Sequence, residues 1–141
     1  MTMKMNVFHL PTLLRESLEH LGCDKEIVGN VDQHSPIMLE FNDAASIFLA
    51  VEETHVWIYC HIKLKNHSVL DARAEDTLRI ISTPRDWSLV SVLTGVRNEE
   101  SGEFTLSAPV KATHLENKEL FASVLEDVHE AAKELCGMIQ E

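Results

Sequence analysis

Positive charge is what this chain has least of. Its 141 residues carry 12 Lys and Arg against 23 Asp and Glu, a net charge of −11. Such a surface repels nucleic acid and anionic membranes, so neither is expected as a partner, and a polypeptide or cationic partner remains open. Glycine and proline are scarce, at 5 and 4 residues, while 45% of the chain is hydrophobic. That composition excludes disorder and fits one domain, residues 1–141, with a core of its own. No apolar run approaches the ~20 residues of a membrane helix. The opening MTMKMNVFHLP has neither a long apolar stretch nor a small-residue cleavage site, so no signal peptide is expected. Cysteine is sparse as well. Cys23, Cys60 and Cys136 are far apart and in no CxxC pair, which reads as buried thiols in a reducing cytoplasm.

Catalytic signatures are also missing. There is no Gly-rich phosphate loop, GxSxG elbow or dinucleotide fingerprint. His129-Glu130-Ala131-Ala132-Lys133 falls one residue short of a zinc-peptidase HExxH, because Lys133 stands where the second ligand is needed. His55 and His61 share a strand face but lie about 20 Å apart at ~3.3 Å per residue, too far for one metal. The remaining histidines, among them His20, His34, His67 and His114, have no sequence-near partner at ligand spacing. No metal, no cofactor and no enzymatic activity are expected.

What the chain does have is periodicity. Leu10, Leu13, Leu14, Ser17, Leu18 and Leu21 follow a 3.6-residue period, and Gly22 is placed to stop the helix. Pro11 fits only a first turn, so this helix begins near Asn6 or near Leu10. After a turn-rich connection come PIMLEF, SIFLAV and THVWIYCHI, three alternating runs joined by links short enough for hairpins. Ser68 with Asp71 resembles a capping box, opening a middle helix from Ser68 to Ser82 with Leu70, Ala74, Leu78 and Ile81 on one face. Trp87 to Arg97 reads as a strand, NEESG as a turn and EFTLSAPV as its antiparallel mate. From about Asn117 a long helix carries an apolar stripe from Leu120 to Leu135. The order α-βββ-α-ββ-α predicts an α+β fold: an antiparallel sheet of about five strands with three helices on one face.

One strand raises the functional question. In THVWIYCHIK, Val56, Ile58, Cys60 and Ile62 point to one side, an ordinary core face. His55, Trp57, Tyr59 and His61 point to the other. On neighbouring strands Met38 and Phe48 join that second side, which is more apolar than a solvated face needs to be. Either one of the chain's own helices covers it or another molecule does, since an exposed patch of large apolar side chains marks a binding surface. Met38, Phe48, Trp57 and Tyr59 are the candidate contacts, as an aromatic rim suits a peptide groove. A small-molecule module with a pocket lined by Trp57, Tyr59 and His61 is the alternative. An enzyme using a distant Cys–His pair is a further rival.

The series LLRESLEHLGCDKEIVGNVDQHSPIMLEF, SIFLAV and HVWIYCHI resembles the type III secretion chaperones of the SpaK/InvB family, class IB. The shared elements are a first helix ending Leu-Gly-Cys, the Asp32, His34, Ser35 step into the first strand, the Val56–Tyr59 strand, and SGEFTL at Ser101 to Leu106. The resemblance implies a bacterial, cytoplasmic homodimer that serves several effectors. Each would be held by a segment near its N-terminus, extended and non-globular, without ATP hydrolysis. The family's dimer contact, made largely by the middle helix, would here involve Leu70, Leu78 and Ile81, with Trp87 just beyond. A sheet edge can pair with an extended client while apolar pockets take its anchors.

Overall fold

The computed structural model describes residues 10–22, 37–39 and 45–139. The 23–36 connection, with Cys23 and the Asp32–Ser35 step, lies outside the described residues. Helix α1 spans Leu10–His20, and the earlier of the two starting points, near Asn6, lies outside the described residues. Its Leu14 and Leu18 are fully buried, and buried Ser17 spends its hydroxyl on the Leu13 carbonyl at 2.7 Å. The helix closes at Gly22, whose φ of 79° is costly for any residue bearing a Cβ.

Five antiparallel strands follow: β1 (Ile37–Leu39), β2 (Ile47–Glu52), β3 (His55–Lys63), β4 (Thr94–Asn98) and β5 (Glu103–Val110), ordered β1-β2-β3-β5-β4 across the sheet. The meander of the first three is as the alternation predicts, and residues 40–44 between β1 and β2 lie outside the described residues. β2 and β3 turn about Glu53–Thr54, with Glu53 at a φ of 59°. NEESG makes the other hairpin. The Asn98 side chain there accepts from the Glu100 and Ser101 amides at 3.0 and 3.1 Å, and Gly102 takes a φ of 72°.

The middle helix differs from its expected form. It is two short helices, α2 (His67–Ala72) and α3 (Ala74–Ser82), broken at Arg73. Its N-cap is Asn66, not Ser68: the Asn66 side chain accepts from the Val69 amide at 3.2 Å and from the Ser68 hydroxyl. The break re-phases the helix, so α3 buries Thr77 and Ile80 and leaves Leu78 61% exposed. The strand expected from Trp87 is also shorter. Residues 87–93 form a loop with one isolated bridge to the β5 end, Ser88 to Val110. There the Leu89 N–H donates to the Pro109 carbonyl at 2.9 Å and the Lys111 N–H to the Trp87 carbonyl at 2.8 Å, and ladder pairing with β5 begins at Thr94.

A 3-10 turn, Ala112–Leu115, leads into α4 (Lys118–Ile139), capped where the Asn117 side chain accepts from the Leu120 amide at 2.8 Å. Phe121, Val124, Leu125, Val128, Ala132 and Leu135 are buried, while Leu120 sits at the exposed margin of the stripe. Helices α1 and α4 lie against each other and join the sheet's inner face in one apolar cluster. Among the described residues four α-helices, one more than expected, thus accompany the sheet in an α+β fold.

Candidate functional site

The sheet sorts its two faces as alternation requires. Ile47, Leu49, Val56, Ile58, Cys60, Ile62, Leu106 and Ala108 point inward and are almost wholly buried. The outer face carries Met38, Phe48, Tyr59, Ser107 and Thr94 in one continuous row across all five strands. Ala50, Trp57 and Pro109 form the next row, and His61 and Thr105 pair on the other side. Met38 is 44% exposed, and Phe48, Trp57 and Tyr59 are half-buried. The structure therefore brings all four predicted contacts onto one surface. The apolar faces of the described helices are spent on the opposite side of the sheet.

These side chains support one another. The Trp57 and Tyr59 rings stack with centroids 6.0 Å apart and planes at 19°, and Tyr59 and His61 stack at 6.5 Å and 8°. Phe48 meets His61 edge-on at 5.3 Å, and His61 Nδ1 lies 2.8 Å from the Thr105 hydroxyl. With only Ala50 between Phe48 and Glu52 on this face of β2, the Tyr59 hydroxyl reaches Glu52 and donates to its carboxylate. Burial, then that hydrogen bond and the negative charge of Glu52, push the Tyr59 phenol up to about 12. The result is a pre-ordered ladder of rings, whose rigidity lowers the entropy lost when a ligand settles on it. The rings stand in a row on the outer face, which the described helices do not cover.

The predicted dimer residues divide. Leu78 is exposed and Ile81 half-buried on α3, whereas Leu70 and Trp87 are buried inside the subunit. Leu70 turns inward because α2 ends before it can share a face with Leu78. Trp87 is held by an interaction that local sequence does not show. Its indole N–H donates to Asp127 of α4 at 2.7 Å, and Arg85 Nε lies 2.9 Å from the same carboxylate oxygen. Arg85 Nη1 also donates to the Ile80 and Thr83 carbonyls at 2.9 and 2.8 Å, closing the end of α3. A cleft of about 540 Å³ lies over this cluster, lined by Pro84, Lys111, Ser123 and the three residues just named.

Burial, with a further contribution from Cys136, pushes the Cys60 thiol up to about 12, which makes it an unreactive core residue. Among the described residues no group of three or more His, Cys, Asp or Glu side chains could hold a metal ion. Among the same residues no helix is long and apolar enough to cross a membrane.

Comparison with known proteins agrees with the resemblance read from the sequence. Residues 22–94 match the Invasion protein B family. The Surface presentation of antigens protein SpaK of Salmonella typhimurium is 31% identical over 121 residues, 86% of this chain and 88% of that protein, and the Salmonella typhi protein of the same name matches equally well. In fold, the chain is similar to a chain of the ExsC–ExsE complex, with a TM-score of 0.61 at 15% identity over 95% of this chain and 96% of that one. It is also similar to YbjN of E. coli, with a TM-score of 0.57 at 13% identity over 90% and 91%. Shared sequence over most of its length and a shared α+β fold make this chain a member of the Invasion protein B family, the SpaK/InvB-type chaperones of type III secretion.

Proposed function

We propose that the outer face of the sheet binds an extended segment near the N-terminus of secreted effectors and keeps it non-globular until export. The observation that carries this reading is the pre-ordered platform of Phe48, Trp57 and Tyr59, which the described helices leave open. An extended segment can satisfy its backbone at a strand edge and place apolar side chains among the rings. Met38 at the rim adapts to different anchors, which suits service to more than one client. No hydrolytic or redox step is required, so the protein acts as a binder and not as an enzyme, in the bacterial cytoplasm. It acts as a homodimer, with the contact centred on Leu78 and Ile81 of α3.

Trp57→Ala tests the reading. Fully buried Trp and Tyr dominate peptide interfaces, so client affinity should fall by about 2 kcal/mol or more. Folding stability should fall by only about 1 kcal/mol, the scale of one lost ring stack. A loss of ~3–5 kcal/mol in stability would instead make Trp57 a core residue and move the client site elsewhere.

A further inference from the structure

The chemistry of the outer face also specifies something about the segment it takes. We infer that the docked segment carries a cation, an arginine by preference, whose guanidinium lies over Trp57 and Tyr59 and pairs with Glu52. This rests on the proposal that the face docks a client.

The placement of Glu52 carries the inference. It is exposed, it stands on the outer face one rung beyond the Ala50–Trp57 pair, and Tyr59 engages only its Oε2. Among the described residues no hydrogen bond engages Oε1, which leaves it for a second donor. That bond fixes a carboxylate at the border of an aromatic platform, where a planar cation can use both at once: ring faces for the quadrupole and carboxylate for the charge. Glu103, the other acid on this face among the described strand residues, is opposite Lys63 in the β3–β5 ladder, so its charge already has a nearby opposite. Glu52 is opposite His55. The net charge of −11 adds a long-range preference of the same sign. An acidic segment would meet repulsion from Glu52 and from the molecule as a whole, and an apolar one would leave Oε1 unused.

The test uses the intact protein and two short blocked peptides of alternating leucine and threonine, one with a central arginine and its twin with citrulline, the neutral isostere. Calorimetric titration at low salt should show the arginine peptide binding about five-fold tighter, the sum of an exposed cation–π contact and a surface ion pair. Glu52→Gln should remove most of that difference, and Trp57→Ala should weaken both peptides. Equal affinities of the two peptides for the wild-type protein, with both lost in Trp57→Ala, would overturn the cation while leaving the docking reading in place. If neither peptide binds, or if binding ignores Trp57→Ala, both fall together.

Discussion

Asp127 is the residue through which α4 holds the loop after α3, and replacing it by Ala should be among the more damaging single changes outside the apolar core. Two groups lose a partner. The indole N–H of Trp87, a residue 3% exposed, is left without an acceptor, and a buried unsatisfied donor costs ~1–3 kcal/mol. Arg85, whose side chain is 8% exposed, loses its counter-charge. Breaking a fully buried ion pair costs ~3–5 kcal/mol, but Asp127 is itself 35% exposed and Arg85 keeps two carbonyl acceptors, so only a fraction of that applies. Together these give about 2–3 kcal/mol, or roughly 7–10 °C in Tm for a domain of this size. Asp127→Asn should cost about half as much, because an amide oxygen can still accept from Trp87. Urea unfolding of the three proteins, compared at constant m-value, is the measurement. Should Asp127→Ala unfold within 0.5 kcal/mol of wild type, a threshold set by ordinary surface substitutions, the cluster would be a surface contact of no structural weight.

The remaining predictions probe separate parts of the argument. Gly95→Ala would place a Cβ 2.5 Å from the Phe104 ring and 3.4 Å from Ile81, so overpacking of ~1–3 kcal/mol should outweigh the backbone entropy gained; Phe104→Leu in the same chain should recover part of it, and a double-mutant cycle showing no coupling would contradict the packing. If the proposed dimer forms through α3, Leu78→Asp should give a monomer in light scattering with little change in Tm, since Leu78 is 61% exposed in the single chain; a wild-type monomer at micromolar concentration would refute the proposed dimer. Tyr59 is the chain's one tyrosine, so the near-ultraviolet absorbance change on phenolate formation follows it alone. Its folded pKa, raised to about 12 from 10.0, means that its contribution to stability is complete below pH 10 and is lost as pH rises toward 12. The absorbance midpoint of the folded protein should fall in Glu52→Gln, and a wild-type midpoint near 10 would deny the hydrogen bond.

Strands of period two were the most legible part of this chain, because alternation is a property of each strand by itself. The inner set Val56, Ile58, Cys60, Ile62 and the outer set Trp57, Tyr59, His61 follow from spacing alone, and the sheet only had to bring Phe48 and Met38 beside them. What spacing could not show was contact at a distance. Trp87 looked like a strand residue beyond a helix, yet its place is set by Asp127, 40 positions away, and by Arg85 capping the end of α3. The middle helix misled for a related reason. Leu70, Leu78 and Ile81 fit one unbroken 3.6-residue face, but the chain breaks at Arg73, and the second helix turns Thr77 and Ile80 inward instead. Asn66, as good an N-cap residue as Ser68, takes the capping place and starts the helix one residue early. The same distinction governs the candidate site. The residues of its aromatic surface were readable because the strand places them, whereas the Tyr59–Glu52 bond that orients the platform joins two strands and needed the register of the sheet. A platform whose members come from alternation but whose charge comes from register can keep its apolar breadth while the residue at position 52 changes. On that argument, client range would be set by Phe48, Trp57 and Tyr59, and client charge by Glu52.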